Sequence, residues 1–105
     1  MEEIVYQPKI KATMYLLVCK TREGLRFVGA TEHLKVRIRT HYADYHKYPD
    51  NKLYQTIYQN GGFDNWLFIK LYDFQCENKT ELKYREQRAI HKYNSTLNTY
   101  QLFKA

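Results

Sequence analysis

The sequence predicts one small α/β domain of the α+β kind, with a three-stranded, mostly antiparallel sheet flanked by three helices in the order ββ-α-α-β-α. Three observations predict it. The apolar runs ATMYLLVC and LRFVG flank a short polar turn, as the arms of a β-hairpin do. A third apolar run, WLFIKLYDF, comes later in the chain. Between and after these strands, apolar residues recur at helical spacing.

Residues 1–10 read as a loose lead-in, with Pro8 blocking regular structure, and residues 11–105 as a single domain. Ala12 to Cys19 is a buried strand, Lys20 to Gly24 a turn in which Gly24 supplies a positive φ, and Leu25 to Gly29 the returning strand. Thr31 is the expected N-cap of the first helix, with Glu32 in its first turn. That helix carries Leu34, Ile38 and Tyr42 as its apolar stripe, and Arg37 and His41 share an adjacent face. It fades near Tyr45–Pro49. Asn51 caps a second helix over residues 52–60, which Asn60-Gly61-Gly62 stops. The run from Trp66 to Phe74 is apolar on both faces and reads as the central strand. A third helix begins near Thr80, with Leu82, Arg85, Glu86, Ala89, Ile90 and Tyr93 at helical spacing, and organised structure ends over Asn94–Asn98.

Composition narrows the function. The chain has 105 residues, a formal charge of +6 and 11 tyrosines. Positive charge favours polyanions through phosphate contacts and counterion release, and tyrosine can stack on bases. No apolar run reaches the roughly 18 residues of a membrane span, and no secretory signal is visible. An intracellular protein, cytoplasmic or nuclear, is the expectation. Cys19 and Cys76 share no CxxC spacing, so they read as buried free thiols rather than a zinc or redox motif.

Tyr15 on the first strand, Arg37 and His41 on the first helix and Glu86 on the third converge on one face in this arrangement. A carboxylate can hold Mg²⁺ and a guanidinium can grip a phosphate, so the set suits phosphodiester cleavage. Each residue also has a plainer role. Arg37 and Glu86 can be solvated helix charges, His41 a surface histidine, Tyr15 and Phe27 core residues. His33, His41 and Glu86 have no recognised zinc-ligand spacing. Tyr42, Tyr45, Tyr48, Tyr54 and Tyr58 can line a nucleic-acid groove, although a small core under the middle helices is the expected fate of Tyr54 and Tyr58. Arg22, Lys35, Arg39, Lys47 and Lys52 are the candidate phosphate contacts.

The ordered motifs resemble the GIY-YIG endonuclease family. Thr13-Met14-Tyr15 stands at the first triplet and Phe27-Val28-Gly29 at the second, followed by Ala30-Thr31-Glu32-His33-Leu34-Lys35-Val36-Arg37 and His41. Gly62-Phe63-Asp64-Asn65-Trp66, Glu81-Leu82-Lys83-Tyr84-Arg85-Glu86 and Tyr93-Asn94-Ser95-Thr96-Leu97-Asn98 resemble the family's later motifs. The resemblance implies hydrolysis of DNA phosphodiesters with Mg²⁺ or Mn²⁺. It implies that Glu86 binds the metal, Arg37 holds the phosphate, His41 supports the phosphate or a nearby tyrosine, Tyr15 positions the nucleophile or phosphate, and Asn98 buttresses the site. Gly29, Thr31 and His33 are supporting positions. With no separate recognition domain attached, specificity is expected from the chain's own loops, from a homodimer or from a partner protein.

Two positions depart from the pattern. Thr13 replaces a glycine, a change confined to strand backbone. Phe27 replaces the second-triplet tyrosine, a favoured general base in the family, and has no proton to exchange. Three readings follow: a domain that only binds nucleic acid, weak activity on the metal and Arg37, or a substitute base, for which Tyr15 and His33 are the candidates.

Overall fold

The computed structural model describes residues 9–98. Its elements run β1 (Ile10–Cys19), β2 (Arg26–Thr31), α1 (Leu34–Lys47), α2 (Lys52–Gln59), β3 (Trp66–Cys76) and α3 (Lys79–Lys92). Short 3₁₀ turns at Phe63–Asn65 and Thr96–Asn98 complete the set. The order is therefore ββ-α-α-β-α, and both strand pairings are antiparallel. Among the described residues no helix is long and apolar enough to cross a membrane.

The sheet order is β2-β1-β3, which makes β1 central and β3 an edge. This corrects the expectation for β3. The cause lies on the far side of β2, where side chains take up the strand's free backbone groups. Asn98 accepts a hydrogen bond from Val28 N at 2.8 Å and donates one to Val28 O at 3.0 Å. Ser95 Oγ donates to Arg26 O at 3.1 Å, and Glu86 Oε2 accepts from Ala30 N at 3.0 Å. With that side closed, β3 can pair only with β1. It leaves Leu67 46% and Ile69 39% exposed, although its run is as apolar as a central strand's. A register shift in its pairing with β1, at Met14 and Tyr15, bends the strand, and the exposed Lys70–Asp73 ion pair puts charge on it, devices common on edge strands.

Because β1 is covered on both faces, its side chains divide between two cores. Tyr15, Leu17 and Cys19 pack with Phe27, Leu53, Tyr54, Ile57, Phe63 and Trp66, under α1 and α2. Met14 and Leu16 pack with Val28, Ala89 and Ile90 of α3 on the opposite face. The molecule is thus three layers, with the sheet between one helix and two.

Several local expectations change. β1 starts at Ile10, so residues 10 and 11 belong to the sheet, while residues 1–8 of the expected lead-in lie outside the described residues. β2 runs on through Thr31. Thr31 consequently does not cap α1: the N-cap is His33, without a side-chain cap bond, and Glu32 pairs with Lys79 instead of the first turn. Gly24 has no positive φ; Gly61 and Gly62 do, at 96° and 71°, where α2 is stopped. Asn51 caps α2 as expected, its side chain accepting from Leu53 N and Tyr54 N. Asn78 caps α3 through Glu81 N. Cys19 and Cys76 are buried free thiols.

Asn98 is fully buried, and both ends of its amide serve one residue of β2. Asn98→Ala is expected to lower unfolding stability by about 1–3 kcal/mol, because Val28 C=O is left buried without that donor. Urea denaturation measures it; an unchanged midpoint would remove Asn98 from this role.

Candidate active site

The site begins with a cross-strand pair. Tyr15 on β1 lies opposite Gly29 on β2. A Cβ built on Gly29 would fall 2.3 Å from the Tyr15 hydroxyl oxygen, so the phenol occupies the space that any other residue would fill. Glycine is required here by close approach rather than by its backbone angles.

From this seat the Tyr15 hydroxyl is hydrogen-bonded to His41 Nε2 at 2.8 Å. His41 Nδ1 is hydrogen-bonded in turn to the Tyr54 hydroxyl at 3.0 Å. All three side chains are buried. His41 is the one buried residue of α1, so the inward stripe of the helix runs through Leu34, Ile38, His41 and Tyr45. Tyr42 was expected on that stripe but is 45% exposed, its ring lying 4.4 Å from that of Phe63.

Electrostatics follow from burial. Desolvation is the largest influence on His41, joined by the nearby Arg37 charge, and lowers its pKa to about 4. It is therefore neutral near pH 7, with one donor and one acceptor nitrogen for two tyrosines. Burial also raises the Tyr15 pKa, opposed by Arg37 and reinforced by Glu86, so the phenol keeps its proton. Glu86 is pushed up by burial and held back by its bond from Ala30 N and by the Arg37 and Lys83 charges. Its Oε2 holds the edge of β2, while Oε1 takes no hydrogen bond among the described residues. Arg37 is raised chiefly by its proximity to Tyr15.

The structure thus brings together Tyr15, Arg37, His41 and Glu86, on a strand and two helices from opposite layers. Phe27 packs beside them, its ring edge-on to His41 at 5.9 Å and tilted to Tyr15 at 6.5 Å. Val28, its neighbour, is the residue held by Asn98. Thr31 Oγ1 accepts a hydrogen bond from His33 N at 3.1 Å and shapes the turn into α1. His33 itself is exposed and acts on Glu32. No group of three or more His, Cys, Asp or Glu residues suited to a metal occurs among the described residues, so His33, His41 and Glu86 form no zinc site.

The basic candidates lie outside this group. Arg22 is at the tip of the β1–β2 hairpin, bonded to Asn60 at 3.2 Å. Lys35 and Arg39 are exposed on α1, Lys47 lies over the Tyr48 ring at 5.4 Å, and Lys52 opens α2. Tyr58 is 74% exposed, contrary to the expectation of burial. Tyr54 is buried as expected, yet in the main core and as a polar partner of His41. That role was not legible, because a helical tyrosine among apolar residues looks the same whether or not its hydroxyl meets a histidine. Ser95 carried a signal in the Tyr93-Asn94-Ser95 motif, and it joins Asn98 on the β2 edge.

The family model for the GIY-YIG catalytic domain matches residues 11–101. The chain belongs to the GIY-YIG family. No curated protein and no solved structure matches it. The antiparallel sheet and the three helices are those of a GIY-YIG nuclease-type fold, and residues 13–98, which carried the resemblance, fall within the matched range. Phe27 is therefore a departure inside a GIY-YIG domain, in a position where its ring contacts both His41 and Tyr15.

Stability should record the neutral, buried His41. Unfolded histidine protonates below about pH 6.5, whereas folded His41 resists until about pH 4. The unfolded state binds more protons in that window, so stability falls on acidification, by on the order of 2–3 kcal/mol from this group. Glu86, with a raised pKa, contributes with the opposite sign as pH rises through its titration, in wild type and variant alike. Urea midpoints measured from pH 7 to pH 4 should fall more steeply for wild type than for His41→Gln; parallel curves would contradict a buried neutral imidazole.

Proposed function

We propose that this GIY-YIG domain is a divalent-metal-dependent endonuclease that hydrolyses phosphodiester bonds in DNA. One observation carries the reading: the buried, protonated Tyr15 is hydrogen-bonded to a neutral histidine, and the Arg37 and Glu86 charges both act on it. A purely structural tyrosine has no need of a histidine bonded to its hydroxyl and a guanidinium beside it.

Glu86 suits a hard cation, since Oε2 anchors the carboxylate on β2 and Oε1 remains for the ion. One carboxylate with water and substrate phosphate is a common Mg²⁺ donor set, and Mn²⁺ can take the same place. A bound ion would supply positive charge to the phosphate and leaving oxygen. Arg37 grips the phosphate and offsets the charge that grows on it. Tyr15 takes the base role that Phe27 cannot fill. Because its phenol holds its own proton, it accepts one from water only by passing its own to His41 Nε2. The O–H bond of water breaks as its oxygen bonds phosphorus. The phosphorus bond to the leaving oxygen then breaks, and that oxygen takes a proton from solvent. His33 is exposed at the N-cap of α1, whereas Tyr15 is buried on a hydrogen bond to His41. The net charge of +6 and the exposed Arg22, Lys35, Arg39, Lys47 and Lys52 favour a polyanionic substrate.

Phe27 favours a second reading, a domain that binds DNA without cutting it. Nicking of supercoiled plasmid separates the two. Wild type with Mg²⁺ or Mn²⁺ should nick, a chelator should stop it, and Glu86→Gln should slow it on the order of 100-fold or more. Glutamine keeps an acceptor for Ala30 N, so the loss reports the charge rather than the fold. A silent wild type awakened by Phe27→Tyr would replace the nuclease reading with the binding one.

A further inference from the structure

We infer that Tyr54 is a positioning residue, which accepts a hydrogen bond from His41 Nδ1–H and so keeps His41 Nε2 as the acceptor for the Tyr15 proton. A neutral imidazole carries one N–H, and its tautomer is set by the partner of the other nitrogen. Here both nitrogens face phenols, at 2.8 Å and 3.0 Å, and either phenol can donate or accept. The tautomer decides the direction of the whole chain. With the proton on Nε2, His41 donates to Tyr15 and blocks the transfer that the nuclease reading needs. With the proton on Nδ1, Tyr15 donates to Nε2 and its oxygen lone pairs turn toward the cleft.

Two features favour the second arrangement. The Tyr54 hydroxyl is carried by α2, whose start is fixed by the Asn51 cap and whose inner face is anchored by Leu53 and Ile57, so the partner of Nδ1 is held in place. Arg37 also acts on the Tyr15 hydroxyl, and a cation beside that oxygen favours lone pairs pointing toward it and the proton pointing away, to His41. When Tyr15 passes its proton on, His41 becomes an imidazolium with Nδ1–H bonded to Tyr54 and Nε2–H to Tyr15. Tyr15 then holds the proton that left water, and His41 holds the one that Tyr15 gave up, which is released to solvent after cleavage. Tyr54 touches neither the phosphate nor the metal in this scheme.

This inference rests on the nuclease reading only for its effect on cleavage, and the experiment tests the two parts separately. Two-bond ¹H–¹⁵N spectra of the ¹⁵N-labelled protein near pH 7 distinguish the two imidazole tautomers, with His41→Gln assigning the signal among the four histidines. Wild type should show His41 as Nδ1–H. Tyr54→Phe, which keeps the buried ring, should shift it toward Nε2–H. The variant's single-turnover cleavage should fall about 10- to 100-fold with its Kd for DNA unchanged. An Nε2–H tautomer in wild type, an Nδ1–H tautomer unmoved in Tyr54→Phe, or a lost tautomer without slower cleavage would each overturn the inference. A wild-type protein that never cuts would refute the nuclease reading instead, while the spectra still decide what Tyr54 does to His41.

Discussion

The Tyr15 ring lies where a side chain at position 29 would otherwise be, and the rest of the site is arranged around that contact. Because the phenol rests over Gly29 of β2, its hydroxyl reaches α1 and meets His41 rather than solvent. Burial then follows for His41 and for Tyr54 behind it, and with burial come the neutral imidazole and the protonated phenol. A polar chain of this kind is costly in a core unless every member is satisfied, and here each nitrogen of the imidazole has its own oxygen. The same cross-strand pair also fixes register: a slip of one residue would set Tyr15 against a side chain and turn it to the α3 face.

The fold and the site share a second set of residues, those that close the free edge of β2. Glu86, Ser95 and Asn98 come from α3 and the chain after it, and they satisfy the backbone of Arg26, Val28 and Ala30. This closure forces the order β2-β1-β3. It also carries Glu86 from the α3 layer round the sheet edge, within electrostatic reach of Tyr15 and Arg37 on the other layer. A carboxylate that holds a strand thereby also acts electrostatically on Tyr15 and Arg37. Topology and chemistry are set by the same side chains.

The hairpin, the Asn51 cap and the glycine stop after α2 were legible because each rests on local chemistry. The family motifs brought Tyr15, Arg37, His41 and Glu86 to attention, since their spacing survives in one dimension. Long-range competition was not legible. Nothing in the run WLFIKLYDF tells that β2's outer edge is closed by distant side chains, so β3 looked central. Thr31 looked like a cap because strand and cap preferences overlap for threonine, and pairing with Thr13 kept it in β2. Tyr54 was invisible as a site residue because its hydroxyl meets His41, thirteen residues earlier, only once the chain is folded.

The most direct test of this account is single-turnover cleavage by Tyr15→Phe, measured beside its affinity for the same DNA. The substitution removes one oxygen and leaves the ring against Gly29, so packing is retained. If Tyr15 fills the base role left open by Phe27, the cleavage rate falls by on the order of 100-fold or more while binding holds. A Tyr15→Phe protein that cuts as fast as wild type would contradict it, and the proton acceptor would have to be sought elsewhere in the cleft.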